Sequence, residues 1–167
     1  MAYTSNSPST FFSNQQFANP VSSTTTLFKN LSVDDQLGLL WFIYTEIGRS
    51  ITPAATGAAR LQFAEGLLNQ VKNMPQSEQM QFMRDLVNKV NNPLTRAYGV
   101  LSTNTKLAFW YQLAELMKEG IVIPVPQGYT MSRDAKKIFN NIVFMDFSQQ
   151  ITILRNAVAD MGVDPLA

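Results

Sequence analysis

Apolar residues recur along this chain at helical spacing, and in two places they crowd almost every face of the predicted helix. Leu37, Leu40, Trp41, Tyr44 and Ile47 fall on one stripe, while Leu39, Phe42 and Ile43 fall on another. Farther on, Leu107, Trp110, Tyr111 and Ala114 form a stripe, with Met117 one turn beyond. A helix with a single buried face needs apolar groups only at i, i+3, i+4 and i+7. These two segments hold both tryptophans of the chain. They are either buried all round, or they pack the core on one side and line a pocket on the other.

The remaining elements follow from caps and breakers. Ser32, with Asp34 and Asp35 in the first turn, opens the first aromatic helix, and Gly48 closes it near Arg49. The stretch from Thr52 through Pro53 to Gly57 reads as a loop. A helix over about residues 58–73 follows, and Pro75 opens another to about Val90. Asn91, Asn92 and Pro93 break it, and a short turn holds Arg96 and Tyr98. Ser102 caps the second aromatic helix, which runs through Lys118 to Gly120. Pro124 and Pro126 force an extended crossing over residues 121–128. Ser132 with Asp134 starts a helix to about Val143, and Ser148 starts the last, ending at Gly162. No strand pair is evident. The predicted fold is all-α.

Residues 1–26 carry no charge and are rich in Ser, Thr and Asn, with Phe11, Phe12 and Phe17 among them. They read as a tethered arm rather than a core element, and the domain proper is placed at 20–167, with the arm at 1–19. The 167 residues suffice for one domain with a sizeable core, since 46% are hydrophobic. Only 15% are charged, against about 25% in an average protein, and the net charge is +1. Nucleic-acid binding by bulk charge is therefore not expected.

Histidine and cysteine are both absent. That removes Ser-His-Asp and Cys-His nucleophiles, histidine bases, disulfides and almost every zinc site. Glu46, Glu115 and Asp160 lie within apolar helices, but no ligand cluster or base accompanies them, so neither a catalytic residue nor a metal site is expected. Arg155 reads by default as a solvated charge. The longest apolar run spans about eight residues, far below the ~20 that cross a bilayer, and no basic, apolar leader precedes it. The expectation is a soluble, intracellular, non-enzymatic protein.

Several long blocks carry a resemblance: residues 31–48 (LSVDDQLGLLWFIYTEIG), 62–65 (QFAE), 104–113 (NTKLAFWYQL), 123–129 (IPVPQGY) and 149–162 (QQITILRNAVADMG). Over roughly residues 20–165 the chain resembles the N-terminal domain of the cyanobacterial orange carotenoid protein and its stand-alone relatives, the helical carotenoid proteins. The resemblance implies two intertwined four-helix subdomains with a non-covalently held ketocarotenoid, such as canthaxanthin or echinenone, threaded between them. It implies that Tyr44 and Trp110 flank one carotenoid ring, with Trp41 close by. Leu37, Leu40, Met83, Leu107, Tyr111, Val125, Tyr129 and Met161 would line the tunnel, and Pro53, Gly57, Glu115 and Val158 complete the implied set. A carotenoid of that kind is about as long as a 20-residue helix, ~30 Å, so it has to cross both subdomains.

The same resemblance implies a photoprotective role: quenching singlet oxygen and triplet excitation. It gives Arg155, with Asn104, Ile151 and Asn156 nearby, a docking role toward the phycobilisome. The sequence stops just past Asp164 and Pro165, where the linker to the sensor domain of full-length relatives would begin. The expectation is accordingly a constitutively active protein. Ser9 stands where antenna-binding relatives would carry a basic residue, which argues against docking through the arm. Two alternatives to scavenging are a phycobilisome-docking energy quencher and a pigment carrier loaded by a homologue of the sensor domain. The implied setting is the cytoplasm near the thylakoid-attached phycobilisome, as a monomer or homodimer.

Overall fold

The computed structural model describes residues 19–58 and 62–166, with the backbone alone over 49–58. Among these residues there are eight helices and no strand: α1 Pro20–Lys29, α2 Val33–Ala58, α3 Gln62–Lys72, α4 Gln76–Asn88, α5 Pro93–Gly99, α6 Thr103–Lys118, α7 Arg133–Val143 and α8 Phe147–Ala159. The two aromatic helices, α2 and α6, pack against each other at the centre. Helices α1, α7 and α8 gather on one side of this pair and α3, α4 and α5 on the other. Each bundle is thus completed by helices it shares with its neighbour. This arrangement explains why α2 and α6 are apolar on more than one face.

Local chemistry sets the element ends. Ser32 Oγ accepts from the Asp35 N–H at 3.2 Å, and Ser102 and Ser132 cap α6 and α7 in the same way. Each satisfies an N–H with no partner inside its helix. Helix α8 begins one residue before the expected Ser148: Asp146 is its cap, in a reciprocal box with Gln149. Helix α4 stops at Asn88, where Lys89 turns left-handed at φ 56°.

Three other expectations are corrected. Residues 20–26 are not arm but helix, with Thr24, Thr25 and Phe28 of α1 buried. Asn19 caps α1 and Pro20 occupies its first turn, a favoured start that needs no charged residue. The turn expected around Arg96 and Tyr98 is helix α5, opened by a box between Asn92 and Thr95. Helix α2 continues to Ala58 through the expected loop. Pro53 removes one backbone bond there, but Ala54 and Ala55 are strong helix formers. Phe11, Phe12 and Phe17 lie outside the described residues.

Buried polar side chains stitch the loops down. Gln79 donates to the carbonyls of Val71 and Ile121, each at 3.0 Å, and accepts from the Ile123 N–H at 3.0 Å, pinning the extended 121–128 crossing. Gln150 donates to the carbonyls of Ile142 and Val143, closing the α7–α8 turn.

Asp35 is the other fastener. Its carboxylate accepts from Tyr129 Oη at 2.6 Å, Ser132 Oγ at 2.5 Å and the Ser132 N–H at 3.4 Å, tying α2 to the start of α7. Burial opposes its charge, but the Ser132 and Tyr129 donors outweigh that and hold its acid below the usual range. Because the folded value is depressed, the stabilisation is complete above the ordinary value of 3.8 and is lost as pH falls through the folded value. Thermal melts over about pH 2–5 should show the midpoint falling below that ordinary value. Asp35→Asn should flatten the acid limb and cost about 2 kcal/mol at neutral pH; an acid limb unchanged in the variant would remove Asp35 from this role.

Candidate functional site

Between the bundles lies a partly open apolar slot. Helix α2 supplies Leu37, Leu40, Trp41 and Tyr44, and helix α6 supplies Leu107, Trp110, Tyr111, Ala114 and Met117. Met83 of α4, Pro124 of the crossing loop, and Leu154 and Val158 of α8 complete it. The i, i+3, i+4 spacing within α2 and α6 puts the chosen side chains on one face of each helix.

The aromatic walls are ordered by mutual contact. The Trp41 and Tyr44 rings stack with centroids 5.9 Å apart at 26°. Tyr44 meets Tyr111 edge-on at 5.7 Å and 68°. Behind the wall, Phe109 meets Trp110 edge-on at 6.3 Å and 87°. Such offset and edge contacts suit the aromatic quadrupole and fix ring planes.

The polar ends of Tyr44, Tyr111 and Trp110 are turned to protein partners. Tyr44 Oη donates to Glu115 Oε2, and Tyr111 Oη donates to Glu115 Oε1 at 2.8 Å. One carboxylate thus bridges hydroxyls from α2 and α6. The hydrogen bonds from Tyr44 and Tyr111 hold the Glu115 acid below its usual range, and burial with Glu115 beside it pushes the Tyr44 phenol far up. Trp110 Nε1 donates to Tyr98 Oη at 3.0 Å. With these heteroatoms engaged, the slot presents ring faces and aliphatic groups. That chemistry fits a flat, apolar, polarizable ligand and leaves no charge to be neutralised.

Nine of the residues expected at a binding site come together here: Leu37, Leu40, Trp41, Tyr44, Met83, Leu107, Trp110, Tyr111 and Val158. Glu115 stands just behind two of them. Val125 is half-buried next to Pro124, Tyr129 is engaged with Asp35, and Met161 is buried in the core; none of the three borders the slot. The side chains of Pro53 and Gly57 lie outside the described residues. Ala114, Met117, Pro124 and Leu154 line the slot without having been singled out as binding residues, although the first two sit on the α6 stripe.

The expected docking residues are partly assembled. Arg155 is half-buried, not a free surface charge, and its Nη2 donates to Asn104 Oδ1 across α8 and α6. Asn156 turns toward α1, where its Nδ2 donates to Thr25 Oγ1 at 3.5 Å, and Ile151 packs on the core. No group of three or more acidic side chains that could hold a metal occurs among the described residues, and no described helix is long and apolar enough to cross a membrane.

Two helical bundles sharing α2 and α6, with an aromatic slot between them, define a class: helical proteins built around an apolar cavity. The sequence profile for the orange carotenoid protein N-terminal domain matches residues 14–164, and the chain belongs to that family. It is 60% identical over 170 residues to an orange carotenoid-binding domain-containing protein of Nostoc sp., an alignment covering 100% of this chain and 99% of the relative. It is 44% identical to the orange carotenoid-binding protein of Synechocystis sp. over 97% of this chain and 51% of the relative, so it spans about half that protein's length. Among solved structures, the red carotenoid protein of Anabaena (Nostoc) sp. binding canthaxanthin superposes with TM-score 0.75 at 39% identity, covering 85% of this chain and 97% of that one. The orange carotenoid protein of the same organism, also binding canthaxanthin, gives 0.80 at 47% identity over 89% of this chain and 48% of that one.

Proposed function

We propose that this chain binds a ketocarotenoid non-covalently in the slot between its bundles and serves in photoprotection. The observation that carries the reading is the slot itself: Trp41, Tyr44, Trp110 and Tyr111 face an apolar space, and the polar atoms of Tyr44, Tyr111 and Trp110 are engaged by Glu115 and Tyr98. In similar solved structures the ligand is canthaxanthin. A bound polyene supplies the photochemistry, accepting triplet excitation and the energy of singlet oxygen. The protein contributes burial, at roughly 25 cal/mol per Å² of apolar surface. Leu37, Leu40 and Leu107 exclude water, while the stacked Trp41 and Tyr44 and the locked Trp110 set the plane in which a conjugated ring can lie.

The test is the visible spectrum of the protein purified from a canthaxanthin-producing host. A red-shifted carotenoid band co-eluting with the protein supports the reading, and a colourless, folded protein refutes it. A second reading, docking on the phycobilisome, is favoured by the pairing of Arg155 with Asn104 at one place on α8 and α6. The same coloured sample, added to phycobilisomes over a range of phosphate concentrations, decides it: unchanged antenna fluorescence excludes docking and leaves scavenging or pigment carriage.

A further inference from the structure

One buried polar group serves the slot without touching it. Tyr98 of α5 has no exposed surface. Its hydroxyl accepts from Trp110 Nε1 at 3.0 Å and donates to the Val158 carbonyl at 2.6 Å. Trp110 and Val158 both line the slot, from α6 and α8. Tyr98 therefore sits behind the wall and holds two of its panels, reaching from one bundle to the other.

Its own seat is tightly specified. Phe109 meets the Tyr98 ring edge-on at 5.5 Å and 70°. Lys106 Nζ lies 5.2 Å from the ring centroid and donates to the Ala159 carbonyl at 2.9 Å, next to the carbonyl that Tyr98 engages. On the remaining side, a Cβ at position 162 would approach Tyr98 Cδ1 to 2.6 Å, so the ring occupies space that only glycine leaves there. Burial pushes the phenol far above its ordinary range, so it remains a neutral donor and acceptor.

An indole in a slot wall can tilt about two side-chain torsions. A hydrogen bond at Nε1 from behind removes most of that freedom, and leaving a buried N–H unpaired is costly. We infer that Tyr98 is a positioning residue, fixing the plane of Trp110 and its distance from Val158 and thereby setting the geometry in which a bound carotenoid ring is held. The inference rests on the carotenoid reading for its optical consequence. The lock on the indole stands apart from it.

The deciding variant is Tyr98→Phe, which keeps the ring and removes the hydroxyl. In carotenoid-loaded protein it should shift or broaden the visible band, weaken the visible circular dichroism and lower pigment retention about tenfold. Trp110→Phe should alter the same signals, and Tyr98→Phe in that background should add little. A second readout needs no pigment. The indole N–H of Trp110 in the unsubstituted apoprotein should exchange with solvent far more slowly than an open indole, and Tyr98→Phe should cut that protection about tenfold. Wild-type optical signals in Tyr98→Phe holoprotein, or an unprotected Trp110 indole in the unsubstituted chain, would overturn the assignment. A wild-type chain that stays colourless refutes the carotenoid reading, and the indole exchange then still decides the lock. If Tyr98→Phe does not fold, the exchange measurement on the unsubstituted protein decides alone.

Discussion

Replacing Tyr44 and Trp110 together by serine should strip the pigment from this protein while leaving a folded helical chain. The two residues stand on different helices, α2 and α6, and both border the slot. Tyr44 loses its stack on Trp41 and its edge contact with Tyr111, and Glu115 keeps only the Tyr111 hydroxyl. Loss of Trp110 leaves Tyr98 Oη bonded to Val158 alone. Burying an aromatic side chain against a ligand is worth about 1.5–3 kcal/mol, with up to about 1.5 kcal/mol more from ring geometry. Removing two such walls should weaken retention by about 3 kcal/mol, more than a hundredfold. The apoprotein loses packing too, since Trp110 is buried and meets Phe109 edge-on, so folding is read separately from retention. Absorbance ratios of pigment to protein after purification, together with far-ultraviolet circular dichroism, separate the two effects. A full complement of pigment in the double variant would remove these residues from the site.

The slot was legible in the sequence where it is built by one helix at a time. Leu37, Leu40, Trp41 and Tyr44 repeat at helical spacing, and so do Leu107, Trp110, Tyr111, Ala114 and Met117. Periodicity by itself could not say whether those stripes face core or cavity, since both demand apolar groups. Leu154 and Pro124 come from distant segments, and only the packing of α8 and the crossing loop on the α2–α6 pair brings them in. Polar fasteners were hidden for the same reason. Asp35 reads locally as a first-turn charge complementing a helix dipole, yet its partners Tyr129 and Ser132 lie 94 and 97 residues away. Tyr98 sits in a seven-residue helix too short to show a period. Helix α1 was missed because it lacks charge in its first turn and an extended apolar stripe, although Asn19 and Pro20 together carried a start signal.

Gly99→Ala should be among the most damaging single substitutions in the chain. A Cβ at this position would lie 1.9 Å from the Val163 carbonyl oxygen and 2.5 Å from its carbon. Both are backbone atoms, so no side chain can swing aside to make room. The segment that would have to move is itself fastened: the Gly162 N–H donates to the Leu86 carbonyl at 2.8 Å, and the Val163 N–H to the Thr95 carbonyl at 3.1 Å. Those two bonds strap the end of α8 across α4 and α5. Displacing the strap breaks them and disturbs the Gly162 seat on which the Tyr98 ring rests. Overpacking of this kind costs about 1–3 kcal/mol, and loss of the two bonds adds about 1 kcal/mol each. A total of about 3–5 kcal/mol corresponds to a fall in Tm of about 6–20 °C for a domain of this size. Glycine was the obvious choice at Gly120 and Gly162 from their place after helices, and both indeed have positive φ. At Gly99 the backbone is ordinary helix, so the requirement comes wholly from a strand of chain more than sixty residues later. Calorimetry on Gly99→Ala, with Gly66→Ala as a control where a Cβ meets nothing within 4 Å, measures it. Equal melting temperatures in the two variants would show that the strap yields without cost.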